Sequence, residues 1–118
     1  MLNQVVLVGR LVRKPELKEA ENKSKYTYIT LAVPRTFKNI NGEYDCDFVD
    51  CMLWNATATN TVEYCEKGDI VGIRGRIQTR VVEEEKDEKD KVVEIICERV
   101  SFLTSKHQDE MENKQVDE

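Results

Sequence analysis

Apolar and polar residues alternate with a period of two along most of this chain, which predicts β-strands. The alternation is clearest in residues 44–54, where Val49, Cys51 and Leu53 share one side. The other side of that segment carries four residues of mixed character: Phe48, Asp50, Met52 and Trp54. The compact apolar side is what a strand facing a core should have, whereas the mixed side is neither plainly core nor plainly solvent-exposed.

Four further segments are predicted to be strands: residues 3–13, 25–34, 69–82 and 92–103. The first of them is apolar on both sides, so we expect both sides to be covered, the second by a neighbouring subunit. Gly9 within it predicts a bulge or a sharp bend. In the second strand, Pro34 removes a backbone donor and is expected to end the pairing.

The connections follow from turn and helix signals. Asn41-Gly42 predicts a turn, so residues 25–54 should form a long hairpin with an extended tip at 35–46. Residues 55–68 change to a helical spacing, with Asn55 as the cap and Gly68 closing the end. Charged loops are expected at 16–24 and 83–91.

Five strands with one short helix between the third and fourth indicate an all-β protein, a five-stranded OB-fold barrel. We expect that domain to span residues 1–104, followed by a short acidic, disordered tail at 105–118. In OB folds, strands two and three and the loops between strands one and two and between four and five bind oligonucleotides.

Aromatic residues are the first candidates for binding chemistry. Phe48 and Trp54 on one strand side would suit a surface on which flat ligands stack. The alternative is that one ring fills the edge of the core and the other covers a partner subunit. Phe37 lies between the cations Arg35 and Lys38 in the predicted hairpin tip, so we expect it either to clamp a ligand or to contact another subunit.

Three arginines recur at alternate positions of the fourth predicted strand, and we name them the arginine stripe: Arg74, Arg76 and Arg80. Gln78 falls between them and no acid shares their side, whereas a strand side that is merely soluble usually mixes both signs. Guanidinium groups fork onto phosphates and stack on bases.

Net charge refines this picture. The chain carries −5 overall, but residues 83–91 and 105–118 each contribute −3, which leaves +1 for the remainder. A nearly neutral body is compatible with nucleic-acid binding if its cations share one surface.

The remaining residue types narrow the functional classes. Cys51 and Cys97 lie in predicted strands and should be buried, without disulfides or a metal site. His107 is the single histidine, and no catalytic constellation or cofactor motif occurs, so we expect a non-enzyme without a cofactor. The absence of a long apolar run or a signal-peptide pattern predicts a cytoplasmic protein that does not enter a membrane.

Several motifs, in this order, resemble the bacterial single-stranded DNA-binding proteins over residues 1–104. They are Asn-Gln-Val-Val-Leu-Val-Gly-Arg-Leu at 3–11, Pro-Glu-Leu at 15–17, Ile-Thr-Leu-Ala-Val at 29–33, Phe-Val-Asp-Cys at 48–51, Trp54, Glu-Lys-Gly-Asp at 66–69, Gly-Arg-Ile-Gln-Thr-Arg at 75–80 and Val-Ser-Phe-Leu at 100–103. The resemblance implies an OB fold and sequence-independent coating of single-stranded DNA in replication, recombination and repair.

The resemblance also implies particular residues and partners. It assigns base stacking to Phe37, Phe48 and Trp54. The family's cationic positions match Arg74, Arg76 or Gln78, and in part Arg80. The match at 5–11 implies that the first strand pairs with a second subunit in a homotetramer, with a dimer as the alternative.

Two departures from the family pattern stand out. Val82 occupies a position where relatives commonly carry an aromatic residue, and the acids of 83–90 follow it. The short tail lacks the closing Pro-Phe pair, which puts recruitment of replication and repair enzymes in doubt. Short-tailed members of this family occur as accessory, plasmid or phage proteins.

Two other hypotheses compete with single-stranded DNA binding. One is an OB-fold module that binds RNA or a primosome-type protein. The other is a structural oligomer in which Phe37 and Trp54 fill interfaces, so that neither ring would respond to an oligonucleotide.

Overall fold

The computed structural model describes residues 1–83 and 89–103 and confirms the predicted all-β fold. The strands are β1 (Val5–Leu11), β2 (Lys18–Glu19), β3 (Lys25–Lys38), β4 (Tyr44–Trp54), β5 (Ile70–Glu83) and β6 (Lys89–Phe102). One helix, α1 (Asn55–Tyr64), joins β4 to β5. The two-residue β2 was missed within the predicted 16–24 loop, because two residues are too few for a period to register.

The five long strands close into a barrel of the OB type. Their order in the sheet is β1-β5-β6-β4-β3-β2, and an additional pairing of β1 with β3 closes the circle. β1 makes both contacts because its residues 5–10 pair with β5 while Arg10 and Leu11 pair with β3.

Gly9 allows this close passage of β1. A side chain there would begin 3.0 Å from the carbonyl oxygen of Ala32 and 3.0 Å from Cβ of Leu31. The pairing of β1 with β5 runs through Gly9 without a register shift, so the predicted bulge is wrong. Gly9 is needed because a side chain there would leave no room for β3.

The core fills the barrel with the inward residues that alternation predicts. From the central hairpin these are Ile29, Leu31, Cys51 and Leu53, each at most 1% exposed. Cys97 is also buried, as predicted, and so is Cys65. Burial raises the pKa of Cys51 to about 12 and that of Cys97 to about 11. These thiols therefore stay protonated and unreactive at neutral pH.

The β3–β4 hairpin is more regular than the sequence suggests. Pro34 was expected to end the pairing, but it lies opposite Cys46 and the strand continues to Lys38. A register irregularity follows between Pro34 and Lys38. The predicted turn is confirmed, because Gly42 has a φ of 79° and donates its N–H to the carbonyl of Asn39 at 3.0 Å.

The helix is shorter than predicted and is capped differently. It ends at Tyr64, and the N–H of Cys65 donates to the carbonyl of Thr61 at 3.0 Å. Asn55 is not its cap: it is the first residue of the helix, with a left-handed φ of 53°, and Trp54 holds the cap position without a side-chain hydrogen bond. Gly68, with a φ of 93°, shapes the later turn into β5.

The β5–β6 hairpin takes up most of the expected acidic loop. β5 reaches Glu83 and β6 starts at Lys89, so the predicted loop bounds of 83–91 are wrong. Residues 84–88 and the expected tail at 105–118 lie outside the described residues. No helix in the described part of the chain is both long and apolar enough to cross a membrane.

Candidate nucleic-acid interface

The outward side of the β3–β4 hairpin carries four aromatic side chains, and we name it the aromatic face: Tyr26, Tyr28, Phe48 and Trp54. Tyr26 lies opposite Trp54, Tyr28 opposite Met52, and Ala32 opposite Phe48. Residues opposite each other in a sheet point to the same side, so the register itself assembles this face.

Phe48 and Trp54 are held in different ways. The side chain of Phe48 is 68% exposed and stands across from the small Ala32. Trp54 is half-buried, and its ring lies 5.3 Å from that of Tyr26 at an angle of 46°. An exposed ring and a supported ring thus share one strand side, about 20 Å apart along β4.

The two tyrosines were not among the predicted site residues. Tyr28 is 39% exposed, and its ring meets that of Tyr26 edge-on at 6.0 Å. Period-two alternation already places both on the side of the second predicted strand that faces away from the core. If that strand is paired in register with residues 46–54, both tyrosines fall on the same face as Trp54.

Phe37 and Lys38 lie near the tip of the hairpin. Phe37 is 64% exposed. Lys38 pairs with Tyr44, and its Nζ lies 5.8 Å from the centre of the Tyr44 ring, a cation–π contact. The tip therefore presents an exposed ring and an exposed cation beyond the barrel.

Arg35 has a local partner that the sequence pattern did not indicate. Its Nη2 donates to Asp47 Oδ1 at 2.9 Å, and its Nε lies 3.2 Å from both carboxylate oxygens. This hydrogen-bonded pair raises the pKa of Arg35 and lowers that of Asp47. Asp47 alternates with Phe48 along β4, so Arg35 is held on the side away from the aromatic face.

The arginine stripe alternates as predicted, but the curvature of the barrel divides it. Tyr28, Met52, Ile96 and Arg76 form one row of partners across β3, β4, β6 and β5. That row places Arg76 about 14 Å from Tyr28, three strand spacings away. Arg74 instead lies between Val6 of β1 and Arg99 of β6, on a different part of the barrel wall.

An acid from the neighbouring strand faces the stripe. Glu94 of β6 is 7% exposed, and its Oε2 lies 3.6 Å from Arg80 Nε. Gln78 pairs with Glu94 and accepts a hydrogen bond from Arg76 Nη1 at 2.9 Å. The stripe's own strand side carries no acid, but the partner strand supplies one. Burial raises the pKa of Tyr28, and Glu94 raises it further.

A second group of cations borders the aromatic face and was missed from the sequence. A groove of about 320 Å³ is lined by Arg13, Lys14, Glu16, Lys18 and Tyr28. Lys18 of β2 pairs directly with Tyr26. The loop between the first two strands of an OB fold generally binds oligonucleotides, and this rule could have identified these cations from the sequence.

The described residues hold no cluster of three or more metal-ligating side chains. The surface instead combines flat rings with lysine and arginine side chains on two flanks. Rings of this kind can stack on planar groups, and the cations can bind anions spaced along a chain.

Comparisons with known proteins agree with this chemistry. The family described as "Single-strand binding protein family" matches residues 2–103. Single-stranded DNA-binding protein B of Bacillus subtilis is 46% identical over 106 residues, which cover 90% of this chain and 94% of that protein. Single-stranded DNA-binding protein 1 of Lactococcus lactis is 43% identical over 89% of this chain and 70% of its own. Single-stranded DNA-binding protein A of Bacillus subtilis is also 43% identical, but the match spans 62% of it.

Proposed function

The chain belongs to the single-strand binding protein family, and from this membership we propose that it binds single-stranded DNA without sequence preference. We propose that it coats and protects such DNA during replication, recombination and repair, as a cytoplasmic protein without catalytic activity. The observation that carries the proposal is the open aromatic face, with exposed Phe48 and supported Trp54 on one strand side.

Bases would stack on the rings while cations hold the phosphates. Each stacked base contributes about 1–3 kcal/mol and any base serves, since every base has a flat π-face. The proposed binding residues are Phe37, Phe48, Trp54, Arg35, Lys38, Arg74, Arg76 and Arg80. To these we add the missed Tyr28, Arg13, Lys14 and Lys18, which line the groove beside the face.

The cations would not contribute equally. Arg35 is bound to Asp47 and Arg80 faces Glu94, so each must change partner before it can bind a phosphate. Arg13, Lys14, Lys18 and Lys38 need less rearrangement, although Lys14 lies 3.5 Å from Glu66. We therefore propose that the flank at the loop between β1 and β2 carries most of the electrostatic attraction.

The outward side of β1 supports assembly into a homotetramer or a dimer. Val6 and Val8 are 68% and 53% exposed, whereas Val5 and Leu7 on the other side pack against the core. They line a groove of about 360 Å³ together with Gly72, Leu103 and two arginines, Arg74 and Arg99, so a second copy there would compete with DNA for Arg74. An apolar strand side of this kind is suited to a second copy of the chain.

The test is a fluorescence titration with an unstructured oligonucleotide, because Trp54 is the single tryptophan and reports from the proposed site. Stacking should quench its emission, and added salt should restore it because bound phosphates release counterions. A duplex of the same length should quench far less. Absence of both quenching and salt dependence would refute the proposal, and tighter binding of a matched RNA would favour an RNA-binding role.

A further inference from the structure

We propose that Thr30 is a positioning residue: it holds the guanidinium of Arg13 against the aromatic face, where the arginine binds a phosphate of the DNA. Asp50 anchors Thr30 in turn. This inference rests on the proposed binding of single-stranded DNA and concerns how one cation of that site is held. The three residues come from separate parts of the chain, since Arg13 follows β1, Thr30 lies on β3 and Asp50 lies on β4.

Thr30 lies in the middle of the aromatic face. It points outward from β3, directly opposite Asp50. Along β4, Asp50 lies two residues from Phe48 and four from Trp54, which is about 7 Å and about 13 Å. DNA that stacks on both rings must therefore cross the row formed by Thr30 and Asp50.

Two hydrogen bonds meet at the hydroxyl of Thr30. Arg13 Nη2 donates to the hydroxyl oxygen at 3.0 Å. The hydroxyl belongs to a residue that is only 9% exposed, and it donates to Asp50 Oδ1 at 2.6 Å. Because a hydroxyl has one proton, its bond to Asp50 leaves only its lone pairs for the arginine. Asp50 thus fixes Thr30 as the acceptor for Arg13.

The backbone before Arg13 is held at the same place. The N–H of Val12 donates to the carbonyl of Thr30 at 3.1 Å, so the arginine starts beside the residue that its side chain contacts. An arginine side chain that is free in solution must give up rotamer freedom when it binds a ligand. The contact with Thr30 removes much of that cost before DNA arrives.

The contact holds Arg13 without neutralising its charge. Its partner is an uncharged hydroxyl, and among the described residues Arg13 forms no ion pair. Arg35 and Arg80 differ, because each of them faces a carboxylate. Arg13 is therefore an oriented cation whose Nε and Nη1 are left to bind a phosphate.

The charge of Asp50 makes the position of this cation important. Its exposed carboxylate repels any phosphate that crosses the same row. The guanidinium of Arg13, which is one hydroxyl away, offsets this repulsion only while it stays there. Loss of the Thr30 hydroxyl would leave the arginine mobile and the carboxylate uncompensated.

The experiment is a double-mutant cycle on Thr30 and Arg13. Affinities for an oligonucleotide of about 16 nucleotides, within the site size of one OB fold, come from quenching of Trp54. Thr30→Val removes the hydroxyl and keeps the size, so it should weaken binding by about threefold to tenfold. Arg13→Ala should weaken binding and lower the slope of log K against log salt by about 0.7, the share of one phosphate contact. In the Arg13→Ala background, Thr30→Val should have no further effect.

Two further variants serve as controls. Thr30→Ser keeps the hydroxyl and should retain the wild-type affinity. Thr79→Val makes the same change at an exposed position on the side of β5 opposite Arg80, and it should bind like the wild type. Urea denaturation shows whether each variant is folded. If Thr30→Val is not, Thr30→Ala repeats the cycle with a smaller side chain.

The outcomes separate this inference from the proposed function. If Thr30→Val weakens binding equally with and without Arg13, Thr30 does not act through the arginine and the inference is wrong, although single-stranded DNA binding stands. Full affinity in Thr30→Val, or an equal loss in Thr79→Val, would also overturn it. Failure of the wild type to bind the oligonucleotide would refute the proposed function and the inference together.

Discussion

At the residue scale, the two aromatic rings of β4 differ in how much the stability of the fold depends on them. Phe48 is 68% exposed and contributes little to the core, whereas Trp54 is half-buried against Tyr26. Truncation of an exposed side chain usually changes stability by less than about 0.5 kcal/mol. Truncation of a packed ring removes contacts that hold the hairpin as well as any stacking surface.

We therefore predict that Phe48→Ala weakens binding of single-stranded DNA by about 1–3 kcal/mol without destabilising the fold. Trp54→Ala should lower both the affinity and the free energy of unfolding. Titration and urea denaturation measure the two quantities. Val81→Ala is the matched control, because Val81 is 58% exposed but lies on the opposite side of β5 from Arg80. Full affinity in Phe48→Ala would remove this ring from the binding surface.

At the element scale, the β5–β6 hairpin depends on close contact at one glycine. Between Arg74 and Gly75 the register shifts, so that Glu98 of β6 is left as the extra residue of a bulge. A side chain on Gly75 would collide with the backbone carbonyl of Ile96. The bend brings Arg76 and Arg80 toward β4 while Arg74 stays beside β1. A glycine is required there because the backbone of β6 occupies the space that a Cβ would need.

Gly75→Ala is therefore expected to lower the free energy of unfolding by about 1–3 kcal/mol, the usual cost of forcing atoms into an occupied space. Gly72→Ala on the same strand is the control. Its new methyl would lie 3.7 Å from Leu103 Cδ1 and 3.8 Å from Val8 Cγ2, which are ordinary contacts. Urea denaturation at one protein concentration compares them, and equal stability of the two variants would contradict the argument.

At the scale of the whole molecule, β1 has two functions that its sequence combines. Its inward residues close the barrel between β5 and β3, and its outward valines line the apolar groove. The sequence predicted that both sides of β1 are covered. Within a single chain, only its inward side is covered. Cover on the other side by a second copy stays a prediction.

Val8→Asp should reduce the molar mass measured by light scattering, because a carboxylate buried beside Gly72 and Leu103 would lose its hydration. Val93→Asp is the control. Val93 is 62% exposed on β6, away from the groove, so its change should leave the mass unaltered. If Val8→Asp keeps the wild-type mass, this side of β1 does not join the subunits.

The sequence predicted the barrel, its strands and the two sides of β4 because these follow from local alternation. Strand bounds were less accurate wherever a neighbour decided them. Pro34 stays in the sheet because the outer part of β3 pairs only with β4, so its missing donor leaves no second strand unpaired. Asn55 does not cap the helix: it is the first helix residue, with a left-handed φ of 53°.

By itself, the sequence determined which residues could stack on a base, since alternation within one strand places Phe48 and Trp54 on the same side. Only the tertiary structure decided which charges are free to act. Asp47 reaches Arg35 from 12 residues away, and Glu94 reaches Arg80 across a strand pair. Tyr26 and Tyr28 join the rings, and the cations from Arg13 to Lys18 flank them, for the same reason. A strand's own pattern fixes the side to which each residue points, but its neighbours in the barrel fix what each residue meets there.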